Sequence, residues 1–253
     1  MEGEKEVAEY PRHFVETMLF DSDLDCFDRV SAAKICDILQ CGATAHASLL
    51  GVGMRDLMKD GHSWMISGMS ICFLRPAKAR EAVMLETWPS GVRRRVVCTR
   101  DYIIRNAEGE VLVKATSDWI YVDVVNRKIC MLTPTLATLA PAWAPRVDVE
   151  PAGRAPEKEG EPFKTKVLIR RADTDINRHV NNVHYVEWLF EALPDEIYSR
   201  DLKRLDITYR QEAVRGEVLE STAWLCQEGS KTVHSLNRES DGVALATAVC
   251  TWG

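Results

Sequence analysis

The second half of this chain repeats the pattern of its first half. Residues 23–31 align with residues 173–181 at an offset of 150 (173 − 23), and both segments run into an amphipathic stretch. Residues 71–73 and 81–85 align with 207–209 and 217–221 at an offset of 136 (207 − 71), and residues 115–119 align with 248–252 at 133 (248 − 115). Three ordered matches indicate a duplication, so each half is expected to form one unit of the same design.

Each copy begins with a helical pattern and continues with strands. In the first copy, Ser31 is a suitable N-cap, and apolar residues recur at helical spacing until Gly51 and Gly53. From Trp64 onward the apolar residues form strand-like stretches, two of which are joined by a turn at residues 106–109. This order predicts an α+β fold in which two long helices are each wrapped by an antiparallel sheet, with the sheets paired edge to edge.

A change of composition separates the two copies. Residues 134–162 are rich in Pro, Ala and acidic side chains, which is typical of a partly extended linker. We therefore expect an N-terminal unit at residues 1–133 and a C-terminal unit at residues 163–253.

Charge and composition exclude several classes of function. The net charge of −6 argues against a nucleic-acid partner, because phosphate binding requires clustered Lys and Arg. No apolar run approaches the ~20 residues that a membrane helix needs, and the first residues resemble neither a secretory signal nor a transit peptide. The expected location is cytoplasmic, without a membrane partner. The eight cysteines form no Cys-x-x-Cys pair and are expected to be reduced core residues, and no metal site is expected.

The two copies differ where polar side chains gather. Asp175, Asn177 and His179 occupy alternate positions, so in an extended segment their side chains point the same way just before a helix. The first copy has Phe27, Arg29 and Pro76 at the positions of Asn177, His179 and Glu212, and it keeps the acid as Asp25. The sequence therefore predicts one reaction centre per chain, in the second copy.

Two stretches of the second copy carry a resemblance to a known family. Residues 171–194, with their Asp-x-Asn-x-His-Val-Asn-Asn motif, resemble the active-site segment of the plant and bacterial acyl-(acyl-carrier-protein) thioesterases. Residues 205–221 resemble the family's downstream segment, in which an acidic residue, here Glu212, completes the site. One departure is visible, because the plant enzymes usually carry Cys directly after that Glu and this chain has Ala213. This puts a cysteine-nucleophile mechanism in doubt.

The resemblance implies a tandem hotdog fold and an enzyme that hydrolyses acyl thioesters of the acyl carrier protein (ACP). Such an enzyme releases free fatty acid, ends chain elongation and needs no cofactor. The implied catalytic residues are Asp175, Asn177, His179 and Glu212. Glu212 is expected to activate or orient water, and His179 to orient that water or protonate the leaving sulfur. Asp175 is either catalytic or structural, since Asp25 is present in the other copy.

Three sets of residues are predicted to bind substrate. Asn181 and Asn182 are expected to cap the second helix, with substrate contact as a secondary role. The helix of the first copy is expected to line an apolar tunnel for the acyl chain through Ile35, Leu39 and Gly42. A basic strand face is expected to dock the carrier protein through Lys166, Arg170 and Arg171. The competing basic stretch contains Arg93, Arg94, Arg95, Arg100 and Arg105.

Two other functions remain open at this point. An acyl-CoA thioesterase of the same architecture would need the same catalytic set. A hotdog protein that binds acyl chains without hydrolysing them would have no need for the complete polar set. The oligomeric state is also open, with a homodimer as one alternative.

Overall fold

The computed structural model describes residues 11–140, 144–175 and 179–253. The first copy contains β1 (His13–Met18), α1 (Ala32–Leu49), α2 (Met54–Leu57), β2 (His62–Phe73), β3 (Ala82–Arg93), β4 (Val97–Asn106), β5 (Val111–Asp123) and β6 (Lys128–Ile129). A short helix, α3 (Pro134–Thr138), follows. The second copy contains β7 (Glu159–Leu168), α4 (Asn182–Phe190), α5 (Asp195–Tyr198), β8 (Leu202–Tyr209), β9 (Val218–Cys226), β10 (Lys231–Arg238) and β11 (Ala244–Trp252).

The strands form one antiparallel sheet whose two halves have mirrored strand orders. The order is β1-β3-β4-β5-β2 in the first copy, continued by β8-β11-β10-β9-β7 in the second, while β6 pairs with β5. The two halves join where β2 pairs with β8, from Gly68 opposite Thr208 to Cys72 opposite Arg204. The aligned segments of the sequence fall on matching strands of the two halves. The predicted duplication, α+β class and edge-to-edge pairing are therefore confirmed.

Each half of the sheet packs on its own central helix. Ser31 caps α1 by accepting a hydrogen bond from the backbone N–H of Lys34 (3.0 Å), and the buried side of the helix carries Ile35, Ile38 and Leu39. The second helix, α4, has 9 residues against 18 in α1 and is shorter than predicted. Pro194 lies four residues after the end of α4, and a proline disfavours helical backbone at the residue before it.

The segment interpreted as a linker lies against the first copy. Leu136, Ala140 and Ala144 are buried. Arg146 Nε donates to Asp101 Oδ2 (2.9 Å), and Trp88 Nε1 donates to the carbonyl of Pro145 (2.8 Å). Because these contacts fasten residues 136–140 and 144–146 to the sheet, these parts of the segment have a fixed course. Trp143 lies outside the described residues.

None of the described helices is by itself long and apolar enough to cross a membrane. By length and composition, α1 and the segment Met54–Asp60 meet that test only as a pair, with a bend between them. All eight cysteines are free thiols. The cytoplasmic location and the oligomeric state stay predictions.

Candidate active site

A short loop before α4 places His179 and Asp175 together. The backbone N–H of Asp175 donates to the carbonyl of His179 (2.8 Å), and the N–H of His179 donates to Asp175 Oδ1 (3.3 Å). The first copy has the same loop, since Asp25 N–H donates to the Arg29 carbonyl (2.7 Å) and Asp25 Oδ1 accepts from Arg29 N–H (3.1 Å). Because an Asp makes these two hydrogen bonds in both copies, a structural role is favoured for Asp175, which positions His179.

The segment after β8 brings Glu212 to His179. Val180 N–H donates to the carbonyl of Ala213 (3.0 Å), and the backbone of His179 forms an isolated antiparallel bridge with Val214. As a result Glu212 Oε1 lies 3.3 Å from His179 Nδ1, with the two side chains 32% and 40% exposed. The carboxylate and the imidazole thus form a half-open pair that water can reach.

A third charged group at this pair comes from the first copy. Arg127, in the turn between β5 and β6, places its guanidinium 3.6 Å from Glu212 Oε2. Glu212 is therefore bordered by an imidazole at one oxygen and by a cation at the other. Arg127 is 82% exposed and stands 85 positions (212 − 127) before Glu212 in the sequence, without a motif that could have drawn attention to it.

The start of α4 is tied to the first copy through Gln40. Asn181 caps α4 by accepting from Val183 N–H (3.2 Å), as predicted, and it also accepts from Gln40 Nε2 (3.2 Å). Asn182 Nδ2 donates to Gln40 Oε1 (3.2 Å). Sequence reasoning did not identify Gln40, although a polar residue within the apolar pattern of α1 was an available signal. Its counterpart at the offset of 150 is Phe190, so this polar bridge belongs to one side of the duplicated fold.

One predicted catalytic residue, Asn177, lies outside the described residues, as does Arg178. The other three, Asp175, His179 and Glu212, come together in a cleft of about 180 Å³. The cleft lies between the copies, because the second copy contributes the loop, α4 and the segment after β8, while the first contributes Gln40, Trp64 to Ser67 and Trp119. Neither copy alone could form it.

A second space, which we call the deep cavity, adjoins this cleft. It measures about 220 Å³ and shares Gln40, Trp64, Trp119 and Asn182 with the cleft. Its apolar walls include Ala43, Ala47, Leu50, Val52, Pro89 and Leu136. A chain attached at the His179–Glu212 pair could extend into it between α1 and the first half of the sheet.

The residues predicted to line an acyl tunnel lie elsewhere on α1. Ile35 and Leu39 are 2% and 0% exposed and belong to the main core. A Cβ atom added at Gly42 would overlap Cδ2 of Leu85, so Gly42 faces β3 at close range. Helical periodicity identifies the buried side of a helix without separating packed core from cavity wall, so the tunnel role of these three residues stays a prediction.

In the first copy, Arg29 takes the position of His179 and lines a smaller pocket of about 80 Å³ that also includes Asp25 and Pro76. Arg29 Nη2 donates to Asp25 Oδ2 (2.8 Å) and to the carbonyl of Tyr198 (2.6 Å), and Nη1 donates to the carbonyl of Arg200. The guanidinium also lies over the rings of Phe27 and Tyr198. Through these contacts Arg29, at the position that corresponds to His179, joins the first copy to the second.

The predicted basic strand face is largely neutralised. Lys166 pairs with Glu239, and Arg170 forms hydrogen bonds with Asp173 at 2.8 and 3.2 Å. Arg171 is exposed. In the competing stretch Arg100 is buried inside the first copy and cannot contribute to a docking surface, which corrects its place in that stretch.

No cysteine lines the described part of the cleft. Ala213 is fully buried beside Glu212, and the one cysteine in the deep cavity is Cys98, where burial raises the pKa of the thiol to about 11. Within the described ranges, no group of three His, Cys, Asp or Glu side chains is placed to hold a metal ion. The chemical groups present are a carboxylate–imidazole pair, an exposed cation and the N-terminus of α4.

Comparison with known proteins agrees with this architecture. Residues 13–139 match the model of the acyl-ACP thioesterase N-terminal domain, and residues 156–253 match that of the C-terminal domain. Among curated proteins, the chloroplastic oleoyl-acyl carrier protein thioesterase 2 of Arabidopsis thaliana is 29% identical over 173 residues, covering 62% of this chain and 46% of the relative. The chloroplastic palmitoyl-acyl carrier protein thioesterase of Gossypium hirsutum is 28% identical over 188 residues, covering 69% and 45%. The chain spans about half the length of these relatives.

Solved structures share the fold over nearly their whole length. An acyl-ACP thioesterase from Bacteroides thetaiotaomicron superposes with a TM-score of 0.86 at 20% identity, covering 96% of this chain and 98% of that one. The 12:0-ACP thioesterase from Umbellularia californica superposes with a TM-score of 0.83 at 19% identity, covering 97% and 98%. Two matched domain models, in the order and at the positions of the two hotdog copies, place this chain in the acyl-ACP thioesterase family.

Proposed function

We propose that the protein hydrolyses acyl-ACP thioesters to free fatty acid and holo-ACP. The observation that carries this proposal is the His179–Glu212 pair, 3.3 Å apart, at the mouth of a cleft that continues into a deep apolar cavity. The pair is absent from the first copy, where Arg29 and Pro76 take its place. One chain thus provides one reaction centre and one cavity for an acyl chain.

The geometry supports water as the nucleophile. Since Nδ1 of His179 faces Glu212, Nε2 is the nitrogen left to take a proton from water, and the carboxylate then stabilises the imidazolium. The water oxygen bonds to the thioester carbonyl carbon. The resulting oxyanion is stabilised by the N–H of Asn182, the first residue of α4, since the N–H groups of Val183 and His184 are already bonded to Asn181. When the C–S bond breaks, the imidazolium returns the proton to the thiolate.

Two substitutions that remove an ionisable group from the cleft test this assignment. A His–carboxylate pair outside the cleft provides the matched control. Glu212→Gln and His179→Asn should each lower kcat by ~10²-fold or more, the loss expected for an acid–base group, with an unchanged Tm. His184 and Glu187, both on α4, form another His–carboxylate pair, 2.7 Å apart. His184→Gln and Glu187→Gln should keep wild-type turnover. Near-normal turnover in both cleft variants would refute the mechanism.

The exposed arginines beside the cleft suit an acidic carrier protein better than the predicted strand face. Arg127 borders Glu212, and the turn that holds Arg94 and Arg95 contacts the segment that follows β6, because Leu132 N–H donates to the carbonyl of Arg95 (2.7 Å). Arg94 and Arg95 have no carboxylate partner among the described residues. Close charges dominate at physiological salt, where the Debye length is ~8 Å. We infer that the carrier docks at Arg94, Arg95 and Arg127.

Charge reversal distinguishes the two docking surfaces and the two substrate classes. Arg95→Glu with Arg127→Glu should raise KM for acyl-ACP several-fold, and added salt should reduce the difference from wild type. Lys166→Glu with Arg171→Glu is the control and should change KM little, since the charge of Lys166 is already paired. Equal hydrolysis of acyl-CoA and acyl-ACP, with no effect of either double variant, would favour the acyl-CoA thioesterase alternative.

A further inference from the structure

A buried arginine without a carboxylate partner lines the deep cavity. Arg100, on β4, is 7% exposed and belongs to the cavity wall. The next residue, Asp101, points to the other face of the sheet, where it accepts from Arg146 Nε (2.9 Å) and Val147 N–H (2.9 Å). Within the described ranges no acidic side chain lies within ion-pair distance of Arg100. Its positive charge is therefore not neutralised by the residues that surround it.

Only one nitrogen of this guanidinium has protein acceptors among the described residues. Arg100 Nη1 lies 3.1 Å from His46 Nδ1 and donates to Thr87 Oγ1 (3.2 Å). A guanidinium carries five N–H donors, so two are used and three are left. His46 is a neutral partner, because burial and the adjacent Arg100 lower the pKa of its imidazole to about 4. Arg100 thus faces His46 of α1 and Thr87 of β3, and His46 stacks on His13 of β1. None of these three residues is acidic.

A plain hydrocarbon chain is a poor occupant for this part of the cavity. It would displace water from the three remaining donors and supply no acceptor, and buried donors without acceptors are unfavourable. An oxygen atom on the chain would instead receive a hydrogen bond, and a carboxylate could bind the planar donor edge at two points. His46 lies six positions after Gln40, which is at the entrance, and this spacing corresponds to roughly 9 Å along α1.

We propose that Arg100 makes the deep cavity selective for acyl chains that carry an acceptor oxygen, as a hydroxyl or a carboxylate, roughly 9 Å beyond Gln40. This inference rests on the proposed thioesterase function for its kinetic consequence. The predicted binding of oxygen-bearing chains does not depend on that function, since the cavity and the guanidinium are present whether or not the thioester is cleaved.

The kinetic test compares three acyl-ACP series that differ at the chain end: unmodified, terminal hydroxyl and terminal carboxylate. For the wild type, kcat/KM should favour an oxygen-bearing chain over the unmodified chain by ~10-fold at one chain length, where the oxygen reaches Arg100. Arg100→Met should abolish this preference. Arg105→Met, on the outer part of the same strand, is the control and should retain it. A gain for both modified chains indicates oxygen recognition, and a gain for the carboxylate alone indicates charge recognition.

A binding test separates this inference from the proposed function. The free acids of the three series are titrated into wild type, Arg100→Met and Arg100→Lys, with Tm measured to confirm folding. Tighter binding of the oxygen-bearing acid by the wild type, lost in Arg100→Met and partly kept in Arg100→Lys, supports the role of Arg100 even if no thioester is hydrolysed. Equal or weaker binding and hydrolysis of oxygen-bearing chains by the folded wild type at every length overturns it.

Discussion

Chain-length selection should respond to the cavity side of α1 and not to its sheet side. Ala47 lines the deep cavity, whereas Gly42 packs against Leu85 of β3. Ala47→Leu adds three carbon atoms inside a cavity of about 220 Å³. Gly42→Ala adds one carbon, which overlaps Cδ2 of Leu85 and lies outside the cavity.

The magnitudes of the two changes follow from this difference. If the three carbons at residue 47 exclude about three methylene groups of the longest substrate, at about 0.8 kcal/mol for each buried methylene, the loss is ~2.4 kcal/mol. This corresponds to a roughly 50-fold fall in kcat/KM for that substrate, with little effect on chains about three carbons shorter. At residue 42, overpacking costs ~1–3 kcal/mol and the better helix propensity of Ala returns about 1 kcal/mol. Gly42→Ala should therefore lower Tm or leave it unchanged.

The assay measures kcat/KM for a series of saturated acyl-ACPs in steps of two carbons, together with Tm, for both variants. Ala47→Leu should shift the profile to shorter chains with a near-wild-type Tm, and Gly42→Ala should keep the wild-type profile. The opposite outcome, a shorter profile in Gly42→Ala alone, would place the acyl chain on the sheet side of α1, as the sequence first indicated. Unchanged profiles in both variants would show that the deep cavity does not receive the chain.

Three further variants test the interface and the core. Arg29→Met removes the hydrogen bonds to Asp25, Tyr198 and Arg200 and should lower the free energy of unfolding by ~2–3 kcal/mol with kcat unchanged. The exposed control Arg80→Met should change the free energy of unfolding by less than ~0.5 kcal/mol. Denaturant titration measures both. Gln40→Leu breaks the link to α4 and should lower kcat by ~10-fold with a smaller change in KM. Burial lowers the pKa of His234 to about 4, so its neutral form stabilises the fold above pH 6.5. This contribution, about 3 kcal/mol, should disappear as the pH falls from 6.5 to 4, and His234→Phe should flatten that part of the pH–stability curve.

A specific outcome would contradict each of these predictions. Equal destabilisation by Arg29→Met and Arg80→Met would mean that the contacts between the copies are worth no more than a surface ion pair. Wild-type kcat in Gln40→Leu would show that α4 holds its position without the first copy. An unchanged acid limb of the stability curve in a folded His234→Phe variant would assign the acid sensitivity to other groups.

The fold was predictable because its information is periodic and repeated. Helical and strand spacing are local properties of the chain, and a duplication shows each of them twice, as in the helix capped by Ser31 and its counterpart capped by Asn181. The mirrored strand order was not visible in the sequence, since it depends on which strands pair. The same holds for the course of Pro145 and Arg146, whose position against Trp88 and Asp101 is set by contacts distant in sequence.

The His179–Glu212 pair was predictable from its motif, and the rest of the cleft was not. His179 and Glu212 stand in two short stretches with characteristic residues, so sequence alone could name both. Gln40 and Arg127 reach the same cleft from the first copy, through the packing of α1 on α4 and through the turn after β5. Residues separated by such distances along the chain meet only when the two halves of the sheet join, and no local pattern records that meeting.

The sequence by itself determined that two helix-and-sheet copies exist and that one of them carries the carboxylate and the imidazole. The tertiary structure decided which side of α1 is core and which is cavity, because a buried Gly42 and a cavity-lining Ala47 read alike in a helical pattern. It also decided the meaning of each charge: Arg29 joins the copies, Lys166 is paired, and Arg100 is enclosed beside an apolar cavity. A charged side chain takes its role from the groups within a few ångströms of it, and those neighbours are chosen by the fold.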